Sequence, residues 1–334
     1  MATQVPCGVR IAGCGSAVPE KRLTNADLAA MMDTSDEWIR QRTGIRERRV
    51  LDPDRGESQL WLATEGLRTA LDDAGMAGSD LDLVIHASVT SEMTCPSNAC
   101  RIAAALDAQP AGAFDLVAAC CGFVYAMNVA DSLIRSGRYR SVGVVGCDAM
   151  STAVDPTDRS VAILFGDAAG AAILVRDDDP NRGCIHQTMN ADGRTWPSLF
   201  IPRASSDLPA GREDSGARMG TLRMDGREVY KFAVGKFREV IEEALSTTGL
   251  AVDDISQFIC HQSNIRIIES AMDKIGLPAE KVYVNIDRYG NSSAGSVGLC
   301  LDQLWKAGKI SAGETIILVA FGGGLTWSSG VWNV

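Results

Sequence analysis

Histidine is scarce in this sequence: three residues in 334, at His86, His186 and His261. None lies in a Cys/His cluster with metal-ligand spacing, so no metal site is expected. The ten cysteines contain no C-x-x-C pair. A chain this long does not need disulfide staples, and the cysteines read as reduced thiols of a cytoplasmic protein. No run of about 20 apolar residues occurs, so no membrane span is expected. Met1–Pro6 lacks a basic stretch leading into an apolar one, so it does not read as a signal peptide. Positive charge is in the minority: 32 Lys and Arg stand against 42 Asp and Glu, a net charge of -10. That balance argues against nucleic acid as a partner and leaves room only for a local basic patch. Aromatics are few, at 6%.

Small and aliphatic residues fill the space. Hydrophobic residues make up 46% of the chain and glycines number 33, which suits an α/β protein with tight strand-helix turns. Short apolar runs read as strands covered on both faces: 81–87, 141–146, 169–175, 257–260 and 315–320. Amphipathic helical patterns lie between them, over 58–74 and 228–247. The alternation predicts a layered α/β architecture.

An internal repeat sharpens this. Segment 67–88 aligns without gaps on segment 241–262, with identities at Ala70/Ala244, Leu71/Leu245, Gly75/Gly249, Ala77/Ala251, Asp80/Asp254 and Ile85/Ile259. Both copies read helix, glycine turn, Asp, buried strand. Duplicated halves packed as pseudo-twofold partners follow, over residues 1–177 and 178–334, joined at the polar cluster Asp177–Gly183. Residues 205–220 have no periodicity and read as a surface excursion.

Four segments carry residues able to do chemistry. In Phe114-Asp-Leu-Val-Ala-Ala-Cys120-Cys121-Gly122, an apolar strand runs into a helical pattern. Cys120 falls at the turn, where the positive end of a helix favours thiolate. The same residues also read as small buried core cysteines. His261 ends a buried strand, where open α/β sheets place ligands, and also reads as a satisfied core histidine. Asn291, in Tyr-Gly-Asn291-Ser-Ser-Ala-Gly, offers a side-chain N–H or a plain turn. Gly322, in Phe321-Gly-Gly-Gly324, offers a backbone N–H to an oxyanion or a tight loop.

Taken together, these segments resemble the β-ketoacyl-acyl carrier protein synthase III family, the priming condensing enzymes of type II fatty acid synthesis. The resemblance runs end to end through Thr34-Ser-Asp-Glu-Trp-Ile39, Arg42-Thr-Gly-Ile-Arg46, Asp155-Pro-Thr-Asp-Arg159, Phe165-Gly-Asp-Ala-Ala-Gly170, Met224-Asp-Gly-Arg-Glu-Val-Tyr-Lys231 and Phe321-Gly-Gly-Gly-Leu-Thr-Trp327. It implies the five-layered α-β-α-β-α thiolase-like fold of two duplicated halves. It also implies acyl-CoA and malonyl-acyl carrier protein as substrates, a homodimer, and no metal or redox cofactor.

The resemblance makes Cys120 the acylated nucleophile, completed by His261 and Asn291, with backbone N–H groups of Cys120 and Gly322 holding the oxyanion. Trp38 and Arg159 match the residues that sandwich the coenzyme A adenine. Thr34, Arg42 and Asn264 match others along its channel, and Phe165 the aromatic beside the thiol. Arg266 and Lys274 match a basic patch for the carrier protein, with Asp273 standing at one of its basic positions. Cys121 replaces a small residue, commonly Ala. Cys95 stands where many short-chain members carry a Phe that reaches the neighbouring subunit's acyl pocket, which implies room for acyl groups longer than acetyl. Two other readings stay open: acyl transfer to an alcohol, amine or other acceptor on the same fold, and a non-catalytic acyl-binding partner subunit.

Overall fold

The computed structural model describes residues 7–211 and 218–334. The reading of Met1–Pro6 and the middle of the 205–220 excursion lie outside the described residues. Two main sheets form. The first takes β1 (Gly8–Ala17), β2 (Leu83–Ala87), β3 (Gly112–Leu116), β4 (Ser141–Ala149) and β5 (Asp167–Asp177) in the order β1-β5-β4-β2-β3. The second takes β6 (Gly183–Ala191), β7 (Ile255–Cys260), β8 (Thr315–Gly322) and β9 (Thr326–Asn333) in the order β7-β8-β9-β6.

Strand directions repeat between the sheets. β2 runs parallel to β4, β4 antiparallel to β5, and β5 antiparallel to β1. Likewise β7 runs parallel to β8, β8 antiparallel to β9, and β9 antiparallel to β6. β3 lies parallel to β2 at the sheet edge. Its counterpart in the second sheet is a single parallel bridge between Phe258 and Val282.

Seven helices place the layers: α1 (Asp36–Thr43), α2 (Gln59–Ala74), α3 (Asn98–Ala105), α4 (Gly122–Arg135), α5 (Gly226–Thr248), α6 (Ile265–Ile275) and α7 (Gly295–Lys306). α4 and α7 lie between the sheets: Phe123 and Met127 of one and Val297 and Leu301 of the other share a core with Ile85 and Leu318. α2 and α3 cover the outer face of the first sheet, with Leu62, Leu67 and Ile102 on Val84 and Val145. α5 and α6 cover the second, with Phe237, Ile241 and Ile268 on Phe258 and Ile317. The result is the five-layered α-β-α-β-α arrangement that the family resemblance implies. It explains why β4, buried at every position, carries no polar alternation.

The repeat shows the same local chemistry twice. α2 stops at Gly75 with φ 63°, and α5 at Gly249 with φ 71°, because a left-handed residue closes each helix. A short turn follows, in which Asp80 accepts from the Ala77 N–H and Asp254 from the Ala251 N–H, both at 2.8 Å. Each turn delivers the chain into β2 or β7. Between the halves, a Cβ added to Gly170 of β5 would lie 2.2 Å from the Leu299 nitrogen, and one on Gly298 of α7 would lie 2.7 Å from the Gly170 carbonyl carbon. Strand and helix backbones therefore touch. No helix among the described residues is long and apolar enough to cross a membrane.

Candidate active site

After β3 the chain makes one 3-10 turn, Ala119–Cys121, and enters α4 at Gly122. Ala119 has a φ of 47°, a left-handed conformation that costs a residue with a Cβ about 1–2 kcal/mol. That turn sets Cys120 at the amino-terminal end of α4. Its thiol is buried, and burial dominates its ionisation: the pKa is pushed up to about 12, with Asp148 adding to the rise and the Ser293 hydroxyl opposing it. Burial thus outweighs the helix end expected to favour thiolate, and at neutral pH the balance lies toward the thiol. Cys121 is buried in the central core beside α4 and α7.

The second half supplies the facing groups. His261 follows β7 directly, and its N–H donates to the Val319 carbonyl at 2.8 Å. The ring Nδ1 meets Ser296 Oγ at 2.7 Å, and Ser296 Oγ also accepts from the Gln262 N–H at 3.4 Å. Either atom of the Nδ1–Ser296 pair can be the donor; when the Ser296 hydroxyl donates to Nδ1, the hydrogen of the neutral ring is on Nε2. Burial drives the His261 pKa down to about 3, so the ring is neutral. Phe321 packs edge-on against it at 5.5 Å.

Asn291 is held by backbone and side chain. Its N–H donates to the Leu164 carbonyl at 2.8 Å, and its carbonyl accepts from the Gly166 N–H at 3.0 Å. Its Oδ1 accepts from the Ser293 N–H at 2.9 Å. That commits the amide oxygen inward and leaves the Nδ2 hydrogens for the cavity. Gly322 lies against the nucleophile: a Cβ there would come within 2.7 Å of the Cys120 nitrogen.

Cys120, His261, Asn291, Gly322, Phe165 and Asn264 all line one cavity of about 740 Å³. Trp38, Arg42 and Arg159 gather outside it. The Arg159 guanidinium lies 5.0 Å and that of Arg42 5.5 Å from the Trp38 ring centre. Asn264 links the two places, donating from Nδ2 to the Arg42 carbonyl at 3.1 Å. Thr34 sits nearby with its Oγ1 buried and unpartnered. Cys95 is exposed and does not line its own chain's cavity. Arg266 and Lys274 are exposed on α6, and so are Glu269 and Asp273. Among the described residues no group of three or more His, Cys, Asp or Glu gathers to hold a metal.

Three contributors escaped the sequence reading. Ser293, at φ 49°, puts its hydroxyl 3.4 Å from the Cys120 sulfur. Ser296 puts its Oγ 2.7 Å from the His261 Nδ1 and so orients the ring. Asp148 accepts from Ser88, Val89 and Thr90 of the first half with one oxygen and from the Ala294 N–H of the second, at 3.1 Å, with the other. The two serines lie in the small-residue run after Asn291, where a hydroxyl three residues from another was the available signal.

Residues 114–193 match the family described as 3-oxoacyl-[acyl-carrier-protein (ACP)] synthase III, and residues 245–334 match its C-terminal counterpart. The chain is 44% identical over 321 residues to the β-ketoacyl-[acyl-carrier-protein] synthase III of Caldanaerobacter subterraneus subsp. tengcongensis, covering 96% of each. Its fold superposes on the crystal structure of 3-oxoacyl-[acyl-carrier-protein] synthase III from Aquifex aeolicus VF5 with a TM-score of 0.90 at 40% identity, over 98% of this chain and 100% of that one. A priming β-ketosynthase from the R1128 polyketide biosynthetic pathway superposes equally well, at 0.90 and 35% identity, over 99% and 98%.

Proposed function

The chain belongs to the 3-oxoacyl-[acyl-carrier-protein] synthase III family, and from that premise we propose how its residues divide the reaction. It is a condensing acyltransferase that initiates fatty acid synthesis. The observation that carries the assignment is the convergence of Cys120, from the first half, with His261 and Asn291, from the second, in one cavity.

In the first step the Cys120 sulfur attacks the carbonyl of an acyl-CoA. The tetrahedral oxyanion is held by the N–H groups of Cys120 and Gly322, which act where charge develops. The carbon–sulfur bond to coenzyme A breaks, and the proton that Cys120 gives up ends on the released thiol. In the second step a malonyl thioester on the carrier protein loses carbon dioxide. Negative charge builds on its thioester oxygen, and His261 Nε2–H and Asn291 Nδ2–H donate to it. A neutral His261 suits this work, because it donates without first having to be charged. The enolate carbon then attacks the acyl carbonyl, the acyl carbon–sulfur bond to Cys120 breaks, the sulfur takes up a proton from solvent, and a β-ketoacyl thioester leaves. Trp38 and Arg159 grip the adenine of coenzyme A, with Thr34, Arg42 and Asn264 along the path inward. No step calls for a metal or redox cofactor.

The halves 1–177 and 178–334 act as duplicated units that have divided these tasks. A homodimer completes the enzyme. In its support, β3 is a free edge strand, and Phe114, Val117 and the nearby Met93 are exposed there. Cys95, on the adjoining loop, then faces the partner's cavity and leaves it roomier than a ring would. The carrier protein docks at Arg266 and Lys274, weakened by Glu269 and Asp273 on the same helix.

Intact-mass measurement tests the scheme. Acetyl-, isobutyryl- or octanoyl-CoA should add one acyl group that is absent in Cys120→Ala and is discharged by malonyl-carrier protein with release of carbon dioxide. An adduct that ignores malonyl-carrier protein would move the assignment to acyl transfer onto another acceptor. No adduct beyond propionyl would sink the reading of Cys95. A monomer by light scattering would sink the dimer.

A further inference from the structure

Among the described residues Arg48 is the one fully buried arginine. It sits in the short strand Glu47–Arg49, and no carboxylate lies within ion-pair distance of it among the described residues. Burial lowers its pKa to about 10, so it stays charged at neutral pH. Glu47 opposes that fall only from a distance, and a buried cation without an ion-pair partner is costly where an apolar side chain would fill the same space.

Its contacts say what the charge and shape are used for. Nη1 donates to the Leu23 carbonyl at 3.1 Å and to Asn25 Oδ1 at 3.0 Å; Nη2 donates to the Ile163 carbonyl at 2.7 Å. Nε has no acceptor. Asn25 in turn donates to Asp36 Oδ1 at 2.9 Å and to the Ile45 carbonyl at 2.7 Å. Asp36 opens α1, which carries Trp38 and Arg42. Ile163 closes the short helix Arg159–Ala162, which carries Arg159. One guanidinium therefore ties together the two elements that meet at the Trp38 ring.

The stem of Arg48 reaches the chemistry. A Cβ on Gly166 would lie 2.9 Å from the Arg48 Cβ, and one on Gly290 would lie 3.1 Å from it. These glycines flank Phe165 and Asn291, whose backbones meet in a parallel bridge through the Asn291 hydrogen bonds to Leu164 and Gly166. Arg48 is thus wedged behind that crossing.

We infer that Arg48 is a positioning residue for decarboxylation: it fixes the Phe165–Asn291 crossing, and with it the Asn291 amide, against the elements that hold coenzyme A. Only a planar fork reaches acceptors on both sides; a lysine has one point of charge. The inference rests on the role proposed for Asn291.

The test compares half-reactions in the full-length protein. Arg48→Lys keeps the charge and most of the stem; Arg48→Met keeps the stem alone and serves if the lysine variant does not fold. Decarboxylation of malonyl-carrier protein should fall by about 10- to 100-fold, the penalty for a displaced catalytic group. Formation of acyl-Cys120 at saturating acyl-CoA, where a weaker grip on coenzyme A no longer limits the rate, should change by less than about threefold by intact mass. In an Asn291→Ala background the Arg48 substitution should cost little more, since the group it positions is gone. Equal losses in both half-reactions, or a full additional loss beyond Asn291→Ala, would reduce Arg48 to a stabilising residue and overturn the inference. Wild-type protein that acylates but never decarboxylates would instead strike at the role of Asn291, before any Arg48 variant is made.

Discussion

Two histidines end equivalent strands in the two halves, and they face opposite ways. In the register of the repeat His86 aligns with Cys260, and Ala87 with His261. Successive residues of a strand point to opposite faces, so one step along the chain exchanges outer layer for inner. His86 points outward to α2 and α3. Its Nε2 lies 2.9 Å from the Gln59 amide and its Nδ1 3.0 Å from Asp115, whose carboxylate also accepts from the first N–H groups of α3. His261 points inward to the cavity. Fold position alone does not make a histidine reactive; the face it occupies does. The same register pairs Ala119 with Ser293, the two left-handed residues at φ 47° and 49° that lead into α4 and α7. One half places Cys120 after that residue, and the other places Ala294, whose N–H is spent on Asp148.

The sharpest test of this division removes Cys120. Cys120→Ala should lower condensation by about a thousandfold or more and abolish the acyl adduct, while Cys121→Ala retains the adduct. Next, the histidines should separate cleanly. His261→Ala should slow decarboxylation by about 100- to 1000-fold with acylation retained, as for loss of a donor aimed at developing charge. His86→Ala should keep the rate near wild type and lose about 1–3 kcal/mol of stability in urea melts, because Asp115 and Gln59 lose a buried partner. If His86→Ala slowed catalysis as much as His261→Ala, the contrast would fail. Gly322→Ala should come third, at about 10- to 100-fold in acylation, because its Cβ would push the Cys120 backbone off the oxyanion geometry.

The smallest expected effect is an absence of titration. Burial holds His261 at about 3 against an ordinary 6.5. The ring then stays neutral above about pH 5, and the decarboxylation rate should show no ionisation near neutrality. The linked stability runs the same way. The unfolded chain takes up a proton at this residue as pH falls through 6.5 and the folded one does not, so stability is intact above that pH and declines below it. A rate that tracks a group titrating near 6.5 would show that the ring is charged on and off during turnover.

Much of the architecture is legible in the chain because the repeat is written in backbone requirements. Gly75 and Gly249 close helices in the left-handed region, and Asp80 and Asp254 cap the turns that follow. The alternation of apolar runs and amphipathic helices then leaves few ways to bury every face. Cys120, His261 and Asn291 each read two ways in the chain, and it is the resemblance of the whole set that singles them out. It does not single out their supports. Ser293 and Ser296 look like turn serines until the fold brings the first to the thiol and the second to the imidazole. The ionisation of Cys120 also escapes the sequence: a helix end is visible in a residue pattern, but the burial that opposes it is a property of the folded site.

The contact between Gly170 and Gly298 has a consequence for anyone who would recombine such chains. Strand β5 belongs to the first half and helix α7 to the second, and their backbones meet with no side chain between them. There is no seam at which a chimaera could be cut and rejoined with a foreign partner, because any added methyl on either face forces the interface open. Each half templates the other here, and along this face one can change only in step with its partner.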